Sequence, residues 1–380
     1  MSSTPAPLRG QLHAVHVLGE TAGGHVSSLA RGLVARGVTV TVCGSSAADE
    51  DYGFAGVGAR FTAVEIARRA GRADAGAVAA LRTATAGADV VHAHGLRAGL
   101  LASLALGGRR TPLIVTWHSA VLAEGTRARL LALLERRVSR VADVVLGASS
   151  DLVERARRLG ARDARLAPIA VPAPVRAPLP PESAVEIERS RQKTRAEFGA
   201  VDRPLLLAVG RLEAHKGYDV LLDAVRGLCG LEPASPVVVI AGEGSQREPL
   251  QRRIDAERLP VRLLGRRDDI PELLAAADVV VLPSRWEARA LIAQEALHAG
   301  VPLVATAVGG TPELVGDAGE LVAYGDAVAL AGAIAGLLGD AGRRAELAAA
   351  GRAQAAAWPT EDDTVAQVLS IYDELVAEGR

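Results

Sequence analysis

Glu287 and Glu295 stand eight positions apart in the run Pro283-Ser-Arg-Trp-Glu-Ala-Arg-Ala-Leu-Ile-Ala-Gln-Glu-Ala-Leu-His-Ala-Gly300. An apolar strand pattern over 277–282 leads into this run, and a helical pattern with Leu291 and Leu297 follows. Eight positions are a little over two helical turns, so a carboxylate at a strand-to-helix turn and one inside the helix can face a single cleft. Ionised carboxylates only accept hydrogen bonds, and two of them suit a ligand rich in hydroxyls, such as a sugar or a ribose. Two solvated helix charges would show the same spacing, so the pair alone leaves both readings open.

A second segment carries cations. Val209-Gly-Arg-Leu-Glu-Ala-His-Lys-Gly217 follows the apolar run 205–209 and leads into 218–225, which has helical period. Arg211 and Lys216 therefore sit on a strand-to-helix loop, where amides and cations can hold an anion. Only two of the 43 basic residues are lysines, at 193 and 216. Arginine is the default cation of this chain, so a lysine in this loop stands out. Its compact ammonium suits a diphosphate approached end-on; an ordinary surface lysine is the alternative.

The first half carries weaker signals. Gly23-Gly24 follows the first strand pattern and precedes a helix over 25–35. Such a pair permits a phosphate to approach a helix N-terminus, or simply makes a tight turn. His92 and His94 end a strand and alternate onto one face. No Cys or third His stands at ligand spacing and Asp89 should point the other way, so no metal site is expected. His118 ends the strand pattern 113–118, as a site residue or as a loop histidine bonded to backbone.

These residues must be positioned by alternating strands and helices, which run from Leu12 to about Leu338. Strands are expected near 13–18, 38–43, 89–93, 112–117, 143–147 and 165–169, and then near 204–209, 237–241, 261–264, 278–282 and 302–305. That alternation predicts an α/β fold with doubly wound sheets. The Pro-rich stretch 167–181 reads as a linker, followed by a charged helix over 182–198. Trp358-Pro359 breaks the last helical region, and a final helix is expected over 361–378.

A chain of 380 residues with 49% hydrophobic and few aromatic residues can build large aliphatic cores. Cys43 and Cys229 fall in different halves, so no disulfide is expected, which fits a reducing compartment. Met1–Gly10 does not read as a signal peptide, and no apolar stretch is long enough to span a bilayer; a cytoplasmic location is expected. Residues 1–172 hold 21 Arg against 13 acidic residues, while the remainder holds 22 basic against 31 acidic residues. The segment 126–140 is a basic amphipathic helix, either packed on its own sheet or lying on an anionic membrane surface. No aromatic residues interleave with the Arg, which argues against nucleic-acid binding.

Taken together, Gly210-Arg-Leu…Lys216-Gly217, Ala241-Gly-Glu-Gly244, Pro283-Ser-x-x-Glu287-x7-Glu295-Ala and Gly300-Val-Pro-Leu-Val-Ala-Thr…Gly309-Gly310-x-x-Glu313-Leu resemble the retaining GT-B glycosyltransferases of the large family that includes mannosyltransferases and sucrose synthases, the family 4 type. The likeness covers nearly the whole chain and is strongest in the second half.

It implies two Rossmann-like domains facing across a cleft: an acceptor-side domain over 1–175 joined by the tail 358–380, whose helix crosses back, and a donor-binding domain over 182–357. It implies a nucleotide diphospho-sugar as co-substrate, no cofactor and no metal, and an acceptor that is lipid-linked or a small molecule. By resemblance, Arg211 and Lys216 neutralise the diphosphate, Glu295 holds the ribose, and Glu287 with 288–291 holds the sugar. Gly23 and Gly24 admit the phosphate, and His118 lies by the reacting sugar and acceptor. The family has Gly-Phe-Gly or similar after the first Glu, whereas this chain has Ala288-Arg289-Ala290, which puts the shape of the sugar pocket in question and adds a cation there. A catalytically weak nucleotide-sugar-binding module is the rival reading. A nicotinamide-dependent dehydrogenase lacks its G-x-G-x-x-G after the first strand.

Overall fold

In a computed structural model of the protein, residues 12–19, 22–66, 71, 73–123, 125–170, 184–230 and 235–378 are described. Residues 1–10, which do not read as a signal peptide, and most of the Pro-rich linker lie outside them. The chain divides into two compact units, Met1–Val171 with Pro359–Arg380, and Pro172–Trp358.

The first unit runs β1 (His13–Leu18), α1 (Gly23–Ala35), β2 (Thr39–Gly44), α2 (Ser46–Tyr52), a 3-10 turn (Phe54–Val57), β3 (Arg60–Ala63), α3 (Ala73–Ala84), β4 (Val90–His94), α4 (Leu96–Leu106), β5 (Leu113–Trp117), α5 (Gly125–Val141), β6 (Val144–Gly147), α6 (Ser150–Arg158) and β7 (Ala164–Leu166). The second runs α7 (Ala184–Phe198), β8 (Leu205–Val209), a 3-10 turn (Ala214–Lys216), α8 (Tyr218–Leu228), β9 (Val237–Ala241), α9 (Arg247–Glu257), β10 (Val261–Gly265), α10 (Ile270–Ala276), β11 (Val279–Leu282), α11 (Leu291–Ala299), β12 (Leu303–Thr306), α12 (Thr311–Val315), β13 (Glu320–Val322), α13 (Ala327–Gly339) and α14 (Ala341–Ala356). The last helix, α15 (Glu361–Glu378), belongs to the first unit, where Val365, Val368, Ile371, Tyr372 and Leu375 join the same core as Ala14, Leu33 and Val90.

Both sheets are parallel, ordered β3-β2-β1-β4-β5-β6-β7 and β10-β9-β8-β11-β12-β13. Each reverses its strand order once, between β1 and β4 and between β8 and β11. Loops leaving the carboxyl ends at such a switch diverge and open a crevice. Strands covered on both faces read as unbroken aliphatic runs, as β8 (Leu-Leu-Leu-Ala-Val) and β11 (Val-Val-Val-Leu) do. Two strands escaped the sequence reading. Arg-Phe-Thr-Ala of β3 lies at a sheet edge with no buried residue, and Glu-Leu-Val of β13 is three residues long. Neither offers an apolar run to detect.

A repeated Asp-Val-Val sets the register at the amino ends. Asp89, Asp143 and Asp278 each precede a strand, and each donates its amide to a carbonyl on the neighbouring strand: His13, Leu113 and Leu205, at 2.9 Å in all three cases. In return the Asp Oδ2 accepts the amide of that same residue at 2.8 Å. Asp89 is thus a register clamp ahead of β4 rather than a side chain on its opposite face. Asp278 also accepts from Arg195 Nη1 at 2.9 Å, and this buried guanidinium further donates to the carbonyls of Ala200, Arg203 and Ala276, tying α7 to the sheet.

Candidate active site

In the second unit the two sides of the switch point meet. Lys216 follows β8 and Glu287 follows β11, and Lys216 Nζ lies 2.5 Å from Glu287 Oε1. Ser284 Oγ donates to that same oxygen at 2.7 Å, and Thr306 Oγ1 holds the Ser284 carbonyl at 2.5 Å. Oε1 is therefore saturated, whereas Oε2 makes no hydrogen bond among the described residues and stays open to a ligand hydroxyl. Lys216 has two further N–H donors to spare.

The loops are stitched by backbone: Arg285 N donates to His215 O, and Gly310 N to Glu287 O, both at 2.8 Å. The fit is close enough that a Cβ on Gly217, at φ 67°, would lie 2.0 Å from Pro283 O. Only glycine serves there.

The other expected residues lie on the β8 loop and on α11. Arg211 is exposed and makes no side-chain hydrogen bond or ion pair among the described residues. Glu295, the fifth residue of α11, is half-buried without a hydrogen-bond partner among them, and burial raises its carboxyl pKa above the ordinary range. Ala290 provides no side-chain cap to α11, so the first-turn amides are open to a ligand oxygen. Leu291 at that end is 60% exposed.

The Ala288-Arg289-Ala290 run takes no left-handed backbone, and both alanines are buried. The Arg289 cation, expected to enter the sugar pocket, is placed instead with its guanidinium carbon 5.5 Å from the Trp358 ring centroid. Burial lowers its pKa and the Glu313 charge opposes that fall. A half-desolvated guanidinium gains more over an aromatic face and near a carboxylate than it would alone.

In the first unit Gly23 and Gly24 form the first turn of α1 rather than a loop before it. A Cβ on Gly23 would sit 2.1 Å from the Tyr52 ring, so this glycine makes room for Tyr52. Gly24 is exposed and remains the open position.

His118 does not bond to backbone. Its Nε2 lies 3.2 Å from His94 Nδ1, and the His25 ring packs edge-on at 5.6 Å. Burial first, and His25 second, hold the His118 pKa down at about 3. His118 Nδ1 is buried and has no hydrogen-bond partner among the described residues, although the residue as a whole keeps some exposure.

The expectation that no third histidine stands near His92 and His94 is wrong. The β1–β4 register sets His16 beside His92, and ligand atoms of His16, His92 and His94 lie within 4.8 Å of one another. Sequence spacing cannot show this, because strand neighbours are 76 residues apart. The cluster has the donor set for a cation, but all six of its ring nitrogens are in hydrogen bonds: to each other, to His118, to Tyr372 and to Thr116. A metal would have to displace them.

Comparison with known proteins now decides the family. The profile "Glycosyl transferase 4-like domain" matches residues 21–172, and "Glycosyl transferases group 1" matches 190–354. A D-inositol 3-phosphate glycosyltransferase of Xylanimonas cellulosilytica is 32% identical over 308 residues, 75% of this chain and 71% of that protein. The chain belongs to the GT-B glycosyltransferases of the family 4 type.

A GDP-mannose-dependent alpha-(1-6)-phosphatidylinositol monomannoside mannosyltransferase of Mycolicibacterium smegmatis is 32% identical to this glycosyltransferase over 197 residues, 48% of this chain and 51% of the relative. Among solved structures, Anabaena Alr3699/HepE in complex with UDP matches with TM-score 0.77 and 19% identity, covering 96% of this chain and all of the other. Sucrose-phosphate synthase from Thermosynechococcus elongatus matches with TM-score 0.77 and 20% identity, covering 97% and 100%.

Proposed function

We propose that the protein is a metal-independent, retaining transferase that moves a hexosyl group from a nucleoside diphospho-sugar to a hydroxyl of a phosphorylated inositol or its lipid. The observation that carries the donor half is the Lys216–Glu287 pair at the switch point of the second sheet, with an open carboxylate oxygen and spare ammonium donors. As the sugar C1–O bond to the diphosphate breaks, charge develops on the leaving oxygen. Lys216, Arg211 and the first-turn amides of α11 are arranged to receive it, and such pre-set donors are usually the largest catalytic term. Glu287 Oε2 and the adjoining 288–291 backbone orient the sugar, and Glu295 accepts from ribose hydroxyls. The acceptor oxygen attacks C1 from the same face, and its proton passes to the departing phosphate oxygen, so no protein base is required.

The acceptor half rests on the names of the relatives and on charge. The Arg excess in residues 1–172 suits an anionic acceptor. A lipid-borne acceptor would also suit α5, where Leu130 and Leu133 are 58% and 63% exposed next to exposed Arg129, Arg136 and Arg137. Only Glu135, Val138 and Ser139 of that helix are buried, so the apolar stripe is not consumed by its own sheet. Among the described residues no helix is long and apolar enough to cross a membrane, and contact through α5 would be made at the membrane surface.

The test is transfer from UDP-glucose and GDP-mannose to inositol 3-phosphate, followed by proton NMR with and without excess EDTA. The expected product keeps the donor's anomeric configuration and forms at the same rate in EDTA. Inversion, or loss of activity restored by magnesium or manganese, contradicts the proposal.

A further inference from the structure

The buried histidines of the first unit form one continuous hydrogen-bond chain. Thr116 Oγ1 lies 2.6 Å from His92 Nε2; His92 Nδ1 lies 2.7 Å from the Tyr372 hydroxyl; Tyr372 lies 3.3 Å from His16 Nε2. His16 Nδ1 lies 3.1 Å from His94 Nε2, and His94 Nδ1 lies 3.2 Å from His118 Nε2. The chain begins at a threonine with no other side-chain partner among the described residues. It ends at His118 Nδ1, the buried nitrogen with none at all. We propose that this chain runs in one direction, from Thr116 through Tyr372 of the C-terminal helix to His118, and that it fixes His118 as the Nδ1–H tautomer, a dedicated hydrogen-bond donor to a substrate oxygen.

The direction follows from counting protons. Burial keeps His16, His92, His94 and His118 neutral at neutral pH, so each ring has one N–H and one acceptor nitrogen. Every link then holds one proton, and choosing one link's direction sets them all. If Thr116 donates, His92 Nδ1–H donates to Tyr372, Tyr372 donates to His16 Nε2, His16 Nδ1–H to His94 Nε2, and His94 Nδ1–H to His118 Nε2. Only the His118 Nδ1–H is left without a partner, at the end where a ligand can supply one. If Thr116 accepts, its own buried hydroxyl proton is stranded and His118 Nδ1 is left as a bare acceptor as well. Stranding a buried polar group costs about 1–3 kcal/mol, so the first arrangement wins. A neutral Nδ1–H cannot act as a base; it can hold a phosphate or sugar oxygen. That last step rests on the glycosyltransferase mechanism proposed above. Thr116, His92, Tyr372, His16 and His94 are then positioning residues, reaching substrate only through His118.

The experiment is 15N-edited NMR of the full chain labelled at histidine, at neutral pH, with the His118 signal assigned by its loss in His118→Gln. The chain predicts a protonated Nδ1 and an unprotonated Nε2 in the unmutated protein. An Nε2–H tautomer there overturns the proposal with no variant needed. Thr116→Val removes the hydroxyl while keeping a β-branched strand residue. The two directions then strand equal numbers of groups, so His118 should become a tautomer mixture, and Thr116→Ser should restore the single form. An unchanged tautomer in Thr116→Val also overturns it. With UDP-glucose or GDP-mannose as donor, Thr116→Val should lower kcat roughly tenfold, and should add nothing to the loss in His118→Gln. A changed tautomer with unchanged turnover would keep the chain and contradict His118 as a substrate contact, which separates the two claims.

Discussion

Glu295 is the residue whose environment makes the clearest claim on a ligand. A half-buried carboxylate with no donor among the described residues is costly, and the ribose proposed to bind there would offset that cost with two hydroxyls. Glu295→Ala should weaken free UDP or GDP binding about tenfold by calorimetry, with the fold intact; unchanged affinity would remove the ribose contact. Because burial raises its pKa, the acceptor form is lost on acidification at a higher pH than for an ordinary glutamate. Nucleotide affinity should therefore decline as pH falls through that raised value, and the decline should be absent in the alanine variant. Stability has the opposite sign. A pKa raised in the folded state favours the folded protein most at low pH, and that contribution is lost as pH rises through the folded pKa.

Candidate residues inside one loop run could be picked out from type and spacing, as Lys216, Glu287 and Glu295 were. What sequence could not show is which of them touch. Lys216 and Glu287 are 71 residues apart and meet only because β8 and β11 are neighbours at the switch. His16 and Tyr372 passed unnoticed for the same reason, since their partners lie on other elements.

Elements are positioned by devices at their ends as much as by their cores. The three Asp-Val-Val clamps define where neighbouring strands begin, and the β1–β4 clamp at Asp89 sets the register that places His16 beside His92. Asp89→Ala should cost about 1 kcal/mol, one exchanged hydrogen bond. Asp278→Ala should cost about 3 kcal/mol or more, because it also leaves the buried Arg195 guanidinium without its counter-charge. Equal midpoint shifts for the two variants in urea would contradict this account of Arg195. Strands announced by unbroken aliphatic runs, such as β8, β9 and β11, were read within a residue or so, while β3 and β13 at the sheet edges were not. Edge strands are half-solvated and short, so they lack the apolar signal on which such reading depends. The apolar face of α5 was legible, but not that much of it stays exposed. Its exposed leucines and arginines predict salt-sensitive binding to anionic vesicles, weakened by Arg136→Glu with Arg137→Glu in flotation assays. Binding unaffected by both salt and substitution would assign that surface another purpose.

At the scale of the whole molecule, two units that share a strand order over six strands each place candidate site residues at the switch point of the sheet: a histidine chain ending at His118 in one, the Lys216–Glu287 pair in the other. The doubly wound repetition was legible because the two halves alternate strands and helices alike. The division of charge, basic in residues 1–172 and acidic after, does not coincide with this partition, because the acidic tail 359–380 belongs to the first unit. The central claim is that Lys216 meets the diphosphate while Glu287, although bonded to it, meets the sugar. Calorimetric titration of UDP and GDP, paired with transfer rates, in Lys216→Ala and Glu287→Ala tests it most directly. Lys216→Ala should lose nucleoside diphosphate affinity and about a hundredfold or more in turnover. Glu287→Ala should bind the nucleoside diphosphate nearly as well as the unmutated protein, because its loss leaves the ammonium in place, yet should transfer sugar poorly. Equal loss of nucleotide affinity in the two variants, or undiminished turnover in Lys216→Ala, would contradict the account.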